Sequence, residues 1–303
     1  MGKTLYLECN AGISGDMTVA ALLDLGADEE KLKKALSSIP ASGFEIRLSR
    51  VKKAGIDCMD FDVVLDSEHE NHDHDMEYLY GHDHDHHHDH DHHHDHEHHH
   101  DHEHHHDHEH HHDHEHHHDH EHHHDHGHHH EHRGLPEIEK IIDQTDLTEN
   151  AGRLAKKIFG IIAEAEAAAH GIPLEQVHFH EVGAIDSIVD VIAAAVCFDL
   201  LDIDRVIIPK LTEGCGTVRC QHGILSIPVP ATTNIVSKYA IPMELTQMKG
   251  EMVTPTGAAI AAALKTDDAL PAKMVIKKVG LGAGKRDHER PGILRAMLIE
   301  EVS

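Results

Sequence analysis

The sequence predicts an α/β or α+β fold, a mixed sheet packed with helices and interrupted by a long disordered histidine-rich loop. The chain has 303 residues, which is enough to bury a large core. Aromatic residues make up only 3% of it and tryptophan is absent, so Ile, Val, Leu and Ala must build that core. Between His69 and His132 lie 37 of the 42 histidines. We therefore expect residues 1–68 and 133–303 to share one globular domain, with 69–132 as a low-complexity insertion.

Before the insertion, runs of β-forming residues alternate with helical spacing. Gly26 ends the first helical pattern, and Asp28 is a suitable N-cap for the second. The predicted elements are a strand at 4–9, a glycine-rich loop at 10–15, helices at 16–25 and 28–38, and strands at 44–51 and 60–65.

After the insertion, the apolar spacing is mainly helical. Gly171 and Pro173 close the longest helix. The predicted elements are a short helix from 135, helices at 148–170, 185–201 and 254–264, and strands at 205–209, 273–279 and 293–300. The segment 212–230 is rich in Gly, Cys, Thr and Pro, which predicts a structured loop.

The charge distribution argues against nucleic acid or an anionic membrane as partner. The formal net charge is -29, and the insertion holds 20 of the 55 acidic residues but no Lys or Arg. The start of the chain lacks the apolar stretch and cleavage site of a signal peptide. Five cysteines are too few, and odd in number, for a disulfide framework. We therefore expect a cytoplasmic protein.

The insertion contains a metal-binding repeat. From Asp95 to His124 the unit Asp-His-Glu-His-His-His recurs five times without error. Imidazole is the commonest ligand for Zn, Cu and Ni, and the interleaved carboxylates add oxygen ligands. Without apolar residues to offset the ordering entropy, this tract is predicted to be a mobile loop that binds several divalent ions; a solvated spacer is the alternative. Its candidate ligands include His96, His98, His99, His100, His102 and His104.

A second candidate metal site lies around residue 180. His178, His180 and Glu181 occupy a short polar stretch, and Asp186 and Asp190 follow on one face of a predicted helix. Two histidines with helix-borne carboxylates are donors for a divalent metal. The alternative is that Asp186 caps its helix and the histidines bond to the backbone.

Two further segments carry candidate ligands. Cys215, Cys220 and His222 combine thiols with an imidazole, although their spacing matches no zinc finger. The glycine-rich loop before the first helix, with Gly12, Ser14, Gly15 and Asp16, places backbone N–H groups at a helix N-terminus, which favours phosphate. Asp16 would instead suit a cation or serve as a cap. The segment 280–285 is not a phosphate-binding loop, because Arg stands where Ser or Thr should hold magnesium.

Five blocks along the chain carry a family resemblance. They are LYLECNAGISGD (5–16), HFHEVGAIDSIVD (178–190), GCGTVRCQHGILSIPVPAT (214–232), GEMVTPTGAAI (250–260) and the segment 280–298 with its Gly-Ala-Gly and Arg-Pro-Gly-Ile-Leu-Arg runs. Together they resemble the LarC family of nickel-insertion proteins, and they span nearly the whole chain. A histidine-rich insertion after the first strands is also typical of that family.

The resemblance implies a CTP-dependent cyclometallase of the lyase class, which inserts Ni(II) into pyridinium-3,5-bisthiocarboxylic acid mononucleotide to form the nickel-pincer cofactor. Forming a nickel–carbon bond at an aromatic C–H requires a held metal, a base for the proton and a clamp for the phosphate. We expect the tract to gather nickel and the loop 10–16 to hold phosphate. The residues expected to present the metal or act in catalysis are His178, His180 and Glu181, or Cys220 and His222.

The family also implies a part that this sequence lacks. Its members continue past the position of Glu300 into a further domain associated with CTP, which is bound with Mg²⁺ or Mn²⁺. We therefore expect a separate C-terminal partner, with the chain being the first product of a split gene, a truncated sequence or a nickel reservoir. The alternative function is a non-catalytic cytoplasmic nickel or zinc store or metallochaperone. An oligomer is compatible with either function.

Metal loading of the tract is expected to fall steeply as the pH drops through about 6.5, the unperturbed pKa of imidazole, because only the neutral ring binds a metal. Equilibrium dialysis of the protein against Ni²⁺ at a series of pH values measures the bound ion. Loading that stayed flat from pH 8 to pH 5 would contradict ligation by histidine.

Overall fold

The structure, a computed structural model, describes residues 2–66, 76–80, 133–179, 184–286 and 288–302. The predicted tract ligands His96 to His104, and His180 and Glu181, lie outside these residues. The strands are β1 (Lys3–Glu8), β2 (Phe44–Lys53), β3 (Ile56–Leu65), β4 (Arg133–Gly134), β5 (His178–Phe179), β6 (Ile203–Ile207), β7 (Leu211–Cys215), β8 (Thr217–Cys220), β9 (Gly223–Ser226), β10 (Met243–Lys249), β11 (Met274–Ala283) and β12 (Ile293–Glu301). The helices are α1 (Gly15–Leu25), α2 (Glu29–Leu36), α3 (Met76–Tyr80), α4 (Leu135–Gln144), α5 (Glu149–His170), α6 (Ile185–Leu201), α7 (Pro230–Lys238) and α8 (Pro255–Leu264), with a 3₁₀ turn at Leu174–Gln176.

Within the described ranges, a sheet of six strands runs in the order β2-β3-β11-β12-β1-β6. β12 pairs antiparallel with both β1 and β11, and Leu5 lies opposite Leu298. β1 pairs parallel with β6. The hairpin of β2 and β3 joins β11 in parallel through Met59 and Gly282. This combination of parallel and antiparallel pairs confirms the predicted mixed sheet with helices.

One face of the sheet packs against the helices. Leu5 of β1 and Ala296 of β12 point to this face and are fully buried. Side chains alternate along a strand, so Tyr6 and Met297, which lie opposite each other, are on the other face and belong to a smaller apolar cluster. The large core therefore lies between the sheet and the helices.

Helix α1 lies directly on strand β11. Gly280 and Gly282 place no side chain between the two elements. A Cβ at Gly282 would overlap the carbonyl oxygen of Met17 and come 2.6 Å from the backbone nitrogen of Ala21. These two glycines therefore set the distance between the helix and the sheet.

The other long helices form a second layer around α5 and α6. α5 contacts α4, α6, α7 and α8, and α6 also contacts α1. Thr148 caps α5, since its hydroxyl oxygen accepts the N–H of Ala151 at 3.1 Å. One buried apolar cluster contains residues from Leu5 to Ala296, so both sides of the insertion contribute to it. No helix of the described residues has the length and apolar character needed to cross a membrane.

The segment 212–230 differs from its prediction as a loop. It contains β7, which pairs in parallel with β10, and the hairpin of β8 and β9. Gly216 and Gly223 have positive φ angles of 97° and 95°, which make the tight turns between these short strands possible. Turn-forming residues recur too often here for an alternating pattern to be visible in the sequence. Residues 280–283, which follow the predicted strand 273–279, continue strand β11.

Replacing Gly282 by Ala is expected to lower the free energy of unfolding by roughly 1–3 kcal/mol, because the added methyl group would push α1 off β11. The matched control is Gly152→Ala in α5, where nothing lies within 4 Å of the new Cβ. The control should gain up to about 1 kcal/mol from helix propensity. Urea denaturation followed by circular dichroism measures both variants, and equal effects would contradict the close packing.

Candidate functional site

A cavity of about 340 Å³ lies where four of the described helices begin. Its wall includes the first residues of α1, α6, α7 and α8, namely Ser14, Gly15, Asp16, Asp186, Ser187, Pro230, Ala231, Pro255 and Thr256. A helix N-terminus presents backbone N–H groups and a partial positive charge, which favour anions. The volume is in the range of small-molecule sites. The cavity can therefore take a small anionic ligand.

Backbone contacts fix the loop 10–14 at the cavity. The N–H of Ile13 donates to the carbonyl of Met252 at 2.9 Å, and the N–H of Thr254 donates to the carbonyl of Ile13 at 3.2 Å. Gly12 has a φ of 83°, and a Cβ there would overlap the Met252 carbonyl. The loop that precedes α1 is thus held in register with the start of α8.

Three carboxylates meet at the N-termini of α1 and α6. Asp190 lies against Gly15, where a Cβ would overlap Asp190 Oδ2. Burial raises the pKa of Asp190 well above its ordinary value, and the charges of Asp16 and Asp186 raise it further. Asp16 Oδ1 accepts the Ser14 hydroxyl, whereas its Oδ2 is buried without a hydrogen-bond partner. This part of the wall attracts cations and repels a bare anion.

Cationic side chains line the same cavity. Lys285 Nζ donates to Asp60 Oδ1 at 2.7 Å and lies 3.3 Å from Asp62 Oδ1. Burial lowers the pKa of Lys285, but the hydrogen bond to Asp60 and the neighbouring carboxylates outweigh it, and the net shift is upward. Arg286 donates to Glu251, and the arginine of β8, Arg219, completes the set. Because Lys285 and Arg286 are paired with carboxylates, their positive charge is largely neutralised, and the helix N-termini remain the main anion-attracting feature.

A thiol and two imidazoles form another part of the wall. Cys220 Sγ lies 3.9 Å from His222 Nδ1, and the ring centroids of His222 and His170 are 4.9 Å apart. His170 Nε2 lies 3.4 Å from Glu166 Oε2. Thiolate and imidazole suit nickel or zinc. Among the residues that the structure describes, however, no three His, Cys, Asp or Glu side chains are arranged to hold a metal ion by themselves. An ion at this wall would need further ligands.

Glu213 is a buried carboxyl that anchors the segment 251–253 of the cavity wall. Its Oε1 accepts the backbone N–H groups of Gly214 and Met252 at 2.7 Å and of Val253 at 3.2 Å, while Oε2 is buried without a partner. Burial raises the pKa of Glu213 to about 7, because these hydrogen bonds offset it only in part and Glu251 adds a like charge. The neutral acid is therefore stable inside the fold well above its ordinary range.

The structure brings together residues that the sequence selected separately. Ser14, Gly15, Asp16, Asp186, Asp190, Cys220 and His222 all line the cavity. Gly12 is buried against Met252 beneath the wall, and Cys215 lies at the end of β7. His178 is exposed in β5, next to the lining residue Phe179. The catalytic, phosphate-binding and metal-binding roles of these residues stay predictions.

Several residues that line the cavity belong to no sequence pattern that would mark them as functional. His170 ends α5 and is far from His222 along the chain, so its spacing suggests only a helix terminus. Lys285 and Arg286 lie in a segment that the sequence excludes as a phosphate-binding loop. Only the fold brings these side chains to the cavity.

The described residues on either side of the segment 81–132 lie beside the cavity. Before it, the Tyr80 hydroxyl oxygen accepts the N–H of Glu251 at 3.0 Å. After it, Arg133 of β4 pairs with Phe179 of β5. Leu79 and Phe179 both line the cavity. Helix α3 falls inside the range 69–132 predicted to be an insertion, and its apolar residues explain why it packs on the fold.

The fold and the cavity define an α/β protein with one internal site that combines anion-attracting, cation-attracting and thiol–imidazole groups. A family model described as "Nickel insertion protein" matches residues 5–303. The chain belongs to this family, which confirms the resemblance carried by the five sequence blocks.

Curated relatives cover nearly all of the chain. It is 48% identical over 301 residues to the pyridinium-3,5-bisthiocarboxylic acid mononucleotide nickel insertion protein of Alkaliphilus metalliredigens, which is 99% of this chain and 61% of the relative. The proteins of the same name from Clostridium acetobutylicum and Acetivibrio thermocellus are 42% and 36% identical, over 99% and 98% of this chain and 65% and 60% of their own. The chain thus spans about three fifths of the length of these relatives. No solved structure matches it.

The variant Glu213→Gln is expected to gain stability over the natural chain as the pH rises. The ordinary pKa of the carboxyl is 4.5 and the folded value is about 7, so between them the folded chain keeps a proton that the unfolded chain has lost. Ionisation of this residue in the unfolded chain therefore favours unfolding increasingly through this window, and the amide, which does not ionise, removes the loss. Between pH 5 and pH 8 the difference in unfolding free energy should change by about 1–3 kcal/mol.

Urea denaturation at the two pH values measures this difference. The matched control is Glu175→Gln, since Glu175 is exposed in the 3₁₀ turn. Parallel pH profiles for the natural chain and Glu213→Gln would contradict the raised pKa.

Proposed function

We propose that this chain carries the nickel-inserting part of an enzyme that acts on pyridinium-3,5-bisthiocarboxylic acid mononucleotide. Membership of the nickel insertion family and the names of the relatives support this function. The observation that carries it is the composition of the cavity. Helix N-termini and cationic side chains suited to an anionic nucleotide share one space with a thiol–imidazole wall suited to nickel. Nickel is the cargo of this reaction.

The nucleotide and the metal require different groups. The phosphate and the two thiocarboxylates are anionic, which suits the N-termini of α7 and α8 together with Arg219 and Arg286. Ni(II) prefers nitrogen and sulfur ligands, which Cys220 and His222 offer, with His170 beside them. The sulfur atoms of the substrate would complete the coordination. A wall with an incomplete ligand set therefore suits an ion that must leave with the product.

Forming a bond between nickel and a ring carbon releases a proton, which requires a base. His178, His180 and Glu181 remain our proposed residues for this role, and His178 adjoins the cavity wall at Phe179. The pair of His170 and Glu166 is a second candidate, because a carboxylate that contacts an imidazole orients it as a base.

The proposed enzyme also has a nucleotide, a reaction class, a location and a partner that the cavity residues do not define. CTP with Mg²⁺ or Mn²⁺, the lyase class and a cytoplasmic location are part of it, and the partner is the portion of the relatives that this chain does not span. The segment 280–285 does not fit a triphosphate, because Gly280 and Gly282 face α1 in close contact. The histidine tract is proposed to supply nickel, as a cytoplasmic metallochaperone would.

A non-catalytic nickel or zinc store is the second candidate function, and the histidine repeat favours it. The two functions differ in what they demand of the cavity. A store needs only the tract, whereas an enzyme needs the cavity residues even when nickel is abundant.

Replacing Cys220 by Ser should reduce nickel insertion at least about tenfold at saturating nickel, because a hard hydroxyl replaces a soft ligand. The assay combines the chain, CTP, the nucleotide and the part of the Alkaliphilus metalliredigens relative that the chain does not span, and mass spectrometry measures the nickel-containing nucleotide. The matched control is Cys215→Ser, which changes a thiol at the end of β7 and should retain activity.

Deleting residues 82–128 separates the two functions. This deletion keeps α3 and its contact with Glu251. Insertion should persist at saturating nickel and decline only when nickel is scarce. Loss of insertion despite excess nickel, or full activity of Cys220→Ser, would contradict the proposed roles of the tract and the cavity.

A further inference from the structure

We propose that Asp16 and Asp190 hold a hard divalent cation, of the Mg²⁺ or Mn²⁺ class, that bridges the protein to the phosphate of a bound nucleotide. This ion is distinct from the nickel cargo, and its ligands are oxygen atoms at the N-termini of α1 and α6. The nucleotide half of the inference rests on the proposed function, whereas the cation half stands on the described residues alone.

The first argument is a carboxylate oxygen without a partner. Asp16 is only 7% exposed and occupies the first turn of α1. Its Oδ1 accepts the Ser14 hydroxyl, and its Oδ2 is buried with no hydrogen bond. A buried, unsatisfied charged oxygen costs free energy and is rare in native proteins. Because Asp16 lines the cavity, a cation in the cavity would satisfy this oxygen.

The second argument is the local excess of negative charge. Asp190 lies against Gly15 at the start of α1, and Asp186 precedes it by one turn of α6 on the same cavity wall. Lys285 lies near Asp16 and Asp190 and offsets part of this charge, but it is shared with Asp60 and Asp62, so the carboxylates outnumber it. The two helix N-termini contribute only about half a charge each. Like charges at this spacing repel strongly away from bulk water, and a divalent ion would remove the repulsion.

The third argument concerns the kind of cation and its remaining ligands. Carboxylate oxygens without nitrogen or sulfur suit Mg²⁺ or Mn²⁺ better than Ni²⁺. Mg²⁺ is usually bound through one or two carboxylates, water and substrate phosphate, and not by a complete protein cage. This matches the finding that the described residues contain no preassembled group of three metal ligands.

The same ion resolves a conflict at the loop 10–16. The start of α1 favours phosphate through its backbone N–H groups, yet Asp16 and Asp190 would repel a bare phosphate there. A divalent cation between the carboxylates and the phosphate makes both features favourable. Phosphate binding and cation binding should therefore be linked.

The cation half is tested by thermal unfolding of the full chain after treatment with a chelator. Without added ions, and at a pH where Asp190 is ionised, Asp190→Asn should melt roughly 2–4 °C above the natural chain, because one repelling charge is gone. Millimolar Mg²⁺ should raise the melting temperature of the natural chain by a similar amount and leave Asp190→Asn unchanged. Asp16→Asn should behave in the same way, since its amide oxygen can still accept the Ser14 hydroxyl.

The matched control is Asp146→Asn, whose carboxylate is 74% exposed and should alter neither value. All these variants keep the histidine tract, so ions bound there do not affect the comparison. An equal Mg²⁺ shift in the natural chain, Asp16→Asn and Asp190→Asn would overturn the site.

The nucleotide half, in which the ion bridges the protein to a phosphate, is tested by calorimetric titration with nicotinamide mononucleotide, which is a pyridinium mononucleotide. Mg²⁺ should tighten its binding to the natural chain about tenfold and have no effect on Asp190→Asn, and by linkage the probe should tighten Mg²⁺ equally. Binding of the probe that is indifferent to Mg²⁺ would overturn the bridge. A normal Mg²⁺ response in protein that fails to insert nickel would count against the proposed function and support this site.

Discussion

Backbone packed against backbone fixes the first turn of α1, and the cavity depends on that turn. A side chain at Gly282 would enter the helix, one at Gly257 would meet the carbonyl of Ile13, and one at Gly15 would meet Asp190. These three contacts tie α1 to the sheet, to α8 and to α6. Glycine leaves no side chain that could adjust, so the turn cannot shift without moving all three elements. The cavity wall is consequently preorganised by the core.

Groups that attract anions and groups that attract cations line the same cavity. Four helix N-termini favour anions, whereas the carboxylates of Asp16, Asp186 and Asp190 attract cations. The thiol and imidazoles of the β8–β9 hairpin and α5 form a separate, softer region. Oxygen ligands favour hard ions, and sulfur and nitrogen ligands favour nickel. Under the two proposals above, this donor chemistry would direct two different ions to two parts of the same cavity.

The sequence predicts the local features of this molecule well and the long-range ones poorly. The long helices were predicted within a few residues, because Thr148 and Gly171 mark the ends of α5 and an apolar run defines α6. The loop at Ser14 and the carboxylates on α6, which the sequence selects on separate grounds, line the same cavity, while their phosphate-binding and metal-binding roles stay predictions. That Asp16 meets Asp190 depends on how α1 packs on α6, and no local pattern encodes this contact. For the same reason Lys285 and His170 were missed, and the short strands of 211–226 were hidden among turn residues.

Helix α3 and strand β4 anchor the two ends of the segment 81–132 at the rim of the cavity. If the histidine tract supplies nickel as proposed, an ion bound to it would pass to the cavity within one molecule. Its transfer would be first order, and dilution of the protein would not slow it, unlike delivery by a freely diffusing carrier. The effective concentration of donor sites at the rim would be fixed by the length of the tether. Under the proposed function, the number of sites able to deliver an ion to one cavity would therefore not depend on how much protein is present.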